Sequence, residues 1–284
     1  MDVLANKWII YDGNCGLCLR SKNLLTRLGV FPESKCLNYH ELEDEVRVKV
    51  DPERFSYEMA LVDEYADETK YGLEGILAIC SERISWLKLI RRGSLVFMLL
   101  EFFYHTISYN RYVLFPRKQV FKCDCEPPFV QKYYLQWMGL GIALAMVISF
   151  IFGLVIASQF AVLPVAFGFK VLVVVGGGWI LQLFIAKAIM TNDQFIDYSR
   201  HIALIMVVGV LVLLPVIILS PILSPFYFLL FIVFSVVLSS AVMLIIHVRR
   251  IRSMGIAQGW TVSWFACLQA TAICFSVYFK FLQL

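Results

Sequence analysis

Residues 8–11, Trp-Ile-Ile-Tyr, form a short apolar run closed by Asp12-Gly13-Asn14, which reads as a buried strand ending in a turn. After the turn Leu17, Ser21, Leu24, Leu25 and Leu28 recur at helical spacing, Arg20, Lys22 and Arg27 project elsewhere, and Gly29 stands as a helix cap. The pattern then predicts a strand near 35–39, a helix near 41–50, strands near 57–63 and 69–71, and a helix near 73–86. Strands and helices alternate as in an α/β domain.

Further along, Ser94–Tyr104 is strongly apolar but too short to cross a bilayer and contains Glu101, so it reads either as closing the core of the first domain, the favoured reading, or as an interfacial helix. Five longer apolar runs follow near 135–157, 168–190, 201–220, 226–247 and 260–281. Each has the roughly 20 residues needed to span a hydrocarbon core. Gly176-Gly177-Gly178 is placed to let neighbouring helices approach, and Pro215 to bend the third. No Asp or Glu sits deep in a span, which argues against a proton-coupled transporter.

Composition agrees with this division. Apolar residues make up 60% of the 284 and charged residues 16%, so part of the chain must face lipid. Residues 1–130 hold 17 Lys/Arg and 19 Asp/Glu, whereas residues 131–284 hold 8 and 2, which sets the expected boundary between a soluble domain (1–130) and an all-α membrane domain (131–284). A net charge of +4 gives no sign of nucleic-acid binding, and the long apolar runs make a lipid bilayer an expected partner.

Lys132, Lys187, Arg200, Arg249, Arg250 and Arg252 fall on one side of the five spans, and only Lys170 and Lys280 on the other. The positive-inside rule then expects a cytoplasmic N-terminal domain and the C-terminus on the opposite side. Met1-Asp2-Val3 leads into Trp8–Tyr11 without a basic n-region or long apolar h-region, which gives the same expectation. Eight Lys/Arg against three acidic residues between Lys88 and Lys132 form a basic collar suited to anionic headgroups.

The chemistry rests on Cys15-Gly16-Leu17-Cys18 at the strand-to-helix turn. The orphan N–H groups and positive dipole end of a helix favour a thiolate there. Cys15 is expected to face solvent and attack, with Cys18, one turn deeper, resolving the mixed disulfide. Cys-x-x-Cys also occurs in zinc sites, so spacing alone leaves metal binding open. Asp12 reads either as a turn and capping residue, the favoured role, or as a proton acceptor for a cysteine.

The segment Tyr11-Asp12-Gly13-Asn14-Cys15-Gly16-Leu17-Cys18 resembles the DCC family of thiol-disulfide oxidoreductases through its Asp-x-x-Cys-x-x-Cys motif. Ala60-Leu61-Val62-Asp63, Tyr104 and Asn110-Arg111-Tyr112 are similar to later parts of that family, over about residues 7–125. The resemblance implies a thioredoxin-like fold and disulfide exchange with a thiol or disulfide substrate by a redox-active cysteine pair. No cofactor is expected, and no bound metal, because the candidates for two further ligands lie over a hundred residues away. In contrast with ordinary thioredoxins, no proline immediately precedes the strand near 57–63. By span number and orientation the tail is similar to the Yip family.

Three readings compete for Cys123 and Cys125: a second dithiol that relays electrons, two further ligands to a four-sulfur metal site with Cys15 and Cys18, or linker cysteines without a role. Cys36 and Cys80 are expected as small buried hydrophobes, and Cys267 and Cys274 as packing residues on one face of the last span. The leading expectation is a membrane-anchored thiol-disulfide oxidoreductase. Its alternative is a membrane scaffold or trafficking-type module whose Cys-x-x-Cys binds metal or is vestigial, with a redox-gated transporter third.

Overall fold

The structure, a computed structural model, describes residues 4, 6–66, 68–115, 121, 126–160 and 167–281, with the side chains of residue 272 and residues 275–281 excepted. The chain forms two compact units, Met1–Trp137 and Met138–Leu284.

Among the described residues of the first unit, four strands form one sheet: β1 (Lys7–Tyr11), β2 (Cys36–Asn38), β3 (Ala60–Asp63) and β4 (Thr69–Tyr71), in the order β2-β1-β3-β4. β1 runs parallel to β2, with Ile10 opposite Leu37, and antiparallel to β3, with Ile9 opposite Leu61; β3 and β4 are antiparallel. This is a thioredoxin-like arrangement. The parallel pair needs a crossover, which α1 (Gly16–Arg27) supplies.

β1 is central and covered on both faces, which is why its apolar run does not alternate. Ile10 packs with Val50, Phe55, Ala60, Val62 and Tyr71, and Ile9 with Leu4, Phe31, Leu61 and Ile79. Gly29 ends α1 at φ 66°, a left-handed conformation that favours glycine, and Val30 N–H returns to the Leu25 carbonyl at 3.0 Å.

The helix expected near 41–50 is broken. It resolves into a turn at Tyr39–Glu41, a single turn α2 (Asp44–Arg47) and a second single turn α3 (Pro52–Phe55). Asp51 starts α3 by accepting the Glu53 and Arg54 N–H groups, and Pro52 at the first helical position cannot continue the preceding turn. α4 (Gly72–Arg83) follows β4, and α5 (Leu95–Tyr109) begins at the Ser94 cap, where the Ser94 hydroxyl accepts the Phe97 N–H.

α5 buries Phe97, Thr106 and Ser108 in the first unit yet exposes Leu95, Leu99 and Phe103 in a row along another face. It therefore contributes to the core while keeping an apolar side outward. The short α6 (Arg111–Leu114) follows, and Arg111 and Val113 are its buried residues.

Among the described residues that follow there are five long helices: α7 (Gln131–Gln159), α8 (Phe167–Ile189), α9 (Asn192–Leu219), α10 (Pro225–Ser253) and α11 (Gly259–Phe281). Among the described residues, α7 to α10 are long and apolar enough to cross a membrane. A Cβ on Gly178 would lie 2.7 Å from the Leu268 side chain and one on Gly177 3.4 Å from Thr271, so two of the three clustered glycines admit α11 closely; Gly176 faces open space. α9 runs through Pro215 without ending.

Inside the second unit, Gln182 donates to the Tyr198 hydroxyl at 2.8 Å, which lies 3.2 Å from His247 Nε2, and His247 Nδ1 lies 3.1 Å from the Thr261 hydroxyl. Buried side chains of α8 to α11 thus satisfy one another's polar groups where water is scarce. Cys267 is buried, but Cys274 is exposed, which corrects its expected packing role.

Candidate functional site

Helix α1 begins at Gly16, and Cys15 is its N-cap: the Cys15 sulfur accepts the Cys18 backbone N–H at 3.2 Å. A side chain turned back onto the helix end satisfies one of the orphan donors there and places the sulfur in the positive end of the dipole. The turn before it is fixed by Asp12, whose carboxylate accepts the Asn14 N–H at 2.8 Å and whose carbonyl accepts the Cys15 N–H at 3.2 Å. That is the turn role favoured for Asp12.

The expectation that Cys15 faces solvent is overturned. Cys15 is 1% exposed and Cys18 5%, because the cap geometry folds the first sulfur inward and aromatic side chains close over the adjoining glycines. A Cβ on Gly13 would lie 2.9 Å from the Phe121 ring, and one on Gly16 3.0 Å from Phe115 Cβ. Beside Gly16 lies a cavity of about 620 Å³, lined in part by Arg20, Arg27 and Phe115.

Asp12 is also the hub of a buried polar cluster. Its carboxylate lies 3.0 Å from His40 Nε2, 3.3 Å from an Arg111 nitrogen and 3.1 Å from the Tyr112 hydroxyl. The other Arg111 terminal nitrogen points at the Cys18 sulfur from 3.9 Å. Arg111, 2% exposed, therefore stands between a carboxylate and the thiol pair.

The two thiols diverge in acidity. Cys15 is lowered to about 7, chiefly by the hydrogen bond from the Cys18 thiol, against the opposing effect of burial and with help from the Arg111 charge and the Cys18 N–H; the Asp12 charge raises it. Cys18 is pushed well above the ordinary thiol value by that same hydrogen bond and by burial, which outweigh Arg111. The lowered value favours the thiolate, the nucleophilic form, at Cys15 over Cys18 near neutral pH. Cys36, away from this cluster, is raised to about 11 by burial.

The structure brings together Asp12, Cys15 and Cys18, as the motif requires. Arg111 and Tyr112 join them from nearly a hundred residues away, and the Asn-Arg-Tyr run was their signal in sequence. His40, Asn38 and Phe121 carried no such signal. Cys123 and Cys125 lie outside the described residues. Among the described residues no group of three or more His, Cys, Asp or Glu is arranged to hold a metal ion.

Residues 9–117 match the family model described as DCC1-like thiol-disulfide oxidoreductase. This DCC1-like segment lies within the first unit. The match covers β1 from Ile9 onward, the other three strands, the Cys-x-x-Cys turn and Arg111, and stops short of the long helices. The resemblance of those helices to the Yip family rests on span number and orientation, without a motif. No curated protein and no solved structure matches the chain.

Proposed function

We propose that this chain is a thiol-disulfide oxidoreductase anchored by its long helices, with the DCC1-like unit at the cytoplasmic face, Cys15 as attacking thiol and Cys18 as resolving thiol. The observation that carries the reading is Cys15 capping α1 with its sulfur on the Cys18 N–H, while its acidity is enhanced and that of Cys18 suppressed. The family match and the four span-capable helices support a membrane-anchored redox protein; the cap geometry supports the thiol roles, and the basic bias supports the side.

In the forward direction the Cys15 thiolate attacks one sulfur of a substrate disulfide, and the other sulfur leaves as a thiolate that takes a proton from solvent. The Cys18 thiol then gives its proton to solvent and attacks the Cys15 sulfur, breaking the mixed disulfide, and the departing substrate thiolate takes a proton back. The substrate's second thiol is released, one disulfide has been reduced to two thiols, and the Cys15–Cys18 pair has been oxidised by the same two electrons. Arg111 stabilises the charge on either sulfur, and Asp12 fixes both the turn and Arg111. With Asn14, Arg111 and Tyr112 donating to its carboxylate, Asp12 acts as a positioning residue.

The cytoplasmic placement is supported by the basic residues flanking the spans, and the apolar row on α5 beside Arg91 and Arg92 fits a headgroup surface. Trapping tests the roles. With a model protein disulfide, Cys18→Ser accumulates a mixed disulfide through Cys15, and Cys15→Ser accumulates none. A mixed disulfide through Cys18 in the Cys15→Ser chain reverses the assignment.

A further inference from the structure

The recess next to Cys15 is occupied by a residue of the chain itself. Asn14, 1% exposed, donates from its carboxamide nitrogen to the Phe121 carbonyl at 3.0 Å and accepts the Phe121 N–H on its oxygen at 2.9 Å. One side chain thereby satisfies both backbone groups of one residue, as a neighbouring strand would. Every non-proline residue offers that same pair of groups.

The Phe121 ring stacks on the His40 ring, with centroids 4.8 Å apart and planes 14° from parallel, and it lies against Gly13, where a Cβ would meet it. Gly13 is itself held from behind, its N–H donating to Asn38 Oδ1 at 3.1 Å. The His40 side chain is 3% exposed, and its Nδ1 finds no hydrogen-bond partner among the described residues. The recess thus combines a backbone clamp, an aromatic platform and a buried polar atom left over, all beside the candidate nucleophile.

We propose that Gly13, Asn14 and His40 form a docking subsite for an extended polypeptide carrying an aromatic side chain, which Phe121 fills as an intramolecular competitor. Backbone hydrogen bonds supply affinity for any extended chain, and the platform supplies the side-chain preference. The substrate class is accordingly a protein rather than a small thiol. This inference rests on Cys15 being the attacking thiol. An incoming chain can take this subsite, which adjoins Cys15 in the sequence, only by displacing Phe121.

The test uses the full-length protein in detergent and two short peptides, each with a cysteine disulfide-linked to a chromogenic thiol, flanked on both sides by Phe in one and by Ala in the other. Attack by Cys15 on the peptide sulfur releases the chromogenic thiolate. At limiting peptide, Phe121→Ala releases the chromogenic thiolate faster than the wild type from both peptides, and the Phe peptide reacts about two- to tenfold faster than the Ala peptide, the range an aromatic stacking pair supports. Acceleration of neither peptide, or equal rates for the Phe and Ala peptides, overturns the subsite.

A second measurement does not depend on turnover: a Phe peptide with Ser in place of Cys slows alkylation of Cys15 in Phe121→Ala, and its Ala counterpart does not. Equal protection by both again overturns it. Release of no chromogenic thiol by either protein from either peptide contradicts the redox reading instead, and the inference falls with it.

Discussion

Arg111 bridges Asp12 and Cys18. Its guanidinium lies 3.3 Å from the Asp12 carboxylate and 3.9 Å from the Cys18 sulfur, with all three side chains buried. The arrangement keeps a fixed positive charge beside two thiols in a place where an unpaired carboxylate would otherwise make thiolates harder to form.

Arg111→Met removes that charge and leaves the Asp12 carboxylate without its cation. Breaking a buried pair on one side costs about 3–5 kcal/mol. Denaturant unfolding of the full chain is expected to show a loss of that order, and alkylation of the refolded or residual native protein a Cys15 midpoint above about 7. An unchanged midpoint removes Arg111 from the account of thiol acidity.

Alkylation of the reduced wild type should rise through a midpoint near pH 7 at Cys15, because its thiolate is favoured below the ordinary thiol value of 9.0. Cys18, pushed the other way, stays unreactive across that range. Peptide mapping of alkylated cysteines against pH reads both. A fast-reacting thiol that survives in Cys15→Ser and vanishes in Cys18→Ser would reverse the order.

Gly13→Ala places a Cβ 2.7 Å from Asn38 Oδ1 and 2.9 Å from the Phe121 ring. Asn38 cannot simply swing aside, since its oxygen already accepts the Gly13 and His40 N–H groups. Overpacking of this kind costs about 1–3 kcal/mol. The expected outcome is a lower unfolding midpoint, with Cys15 alkylated faster as Phe121 is displaced; a neutral substitution would place the Phe121 ring elsewhere.

Much of this was legible in the chain. The Ile9-Ile10 run, the Cys-x-x-Cys turn and the Gly29 cap are local signals, and each appears where periodicity and turn chemistry put it. The helix near 41–50 was not legible, because Asp51-Pro52 restarts the backbone and its acidic residues carry no sustained apolar period. The inward sulfur of Cys15 was missed because it depends on Phe115 and Phe121, about a hundred residues away. His40 was missed for the same reason: its partner Asp12 lies 28 residues earlier, and only the parallel pairing of β1 with β2 brings them together.

A tag before Met1 is expected on the cytoplasmic side and one after Leu284 on the other, from the basic bias and the five long helices. Membrane-impermeant labelling in intact cells and in inverted vesicles reads this directly. Both ends on one side would mean an even number of crossings, with α11, which lies outside the four helices found span-capable, the first to reconsider.

The central claim, that Cys15 and Cys18 cycle between dithiol and disulfide, is tested most directly by equilibrating the full-length protein with graded mixtures of reduced and oxidised glutathione and quantifying the Cys15–Cys18 disulfide by mass spectrometry. The account predicts one reversible two-electron transition assigned to that pair, abolished in Cys15→Ser and in Cys18→Ser. A pair that never closes into a disulfide across the whole range, or that retains about one zinc per chain under reducing conditions and loses it in Cys15→Ser, would contradict it.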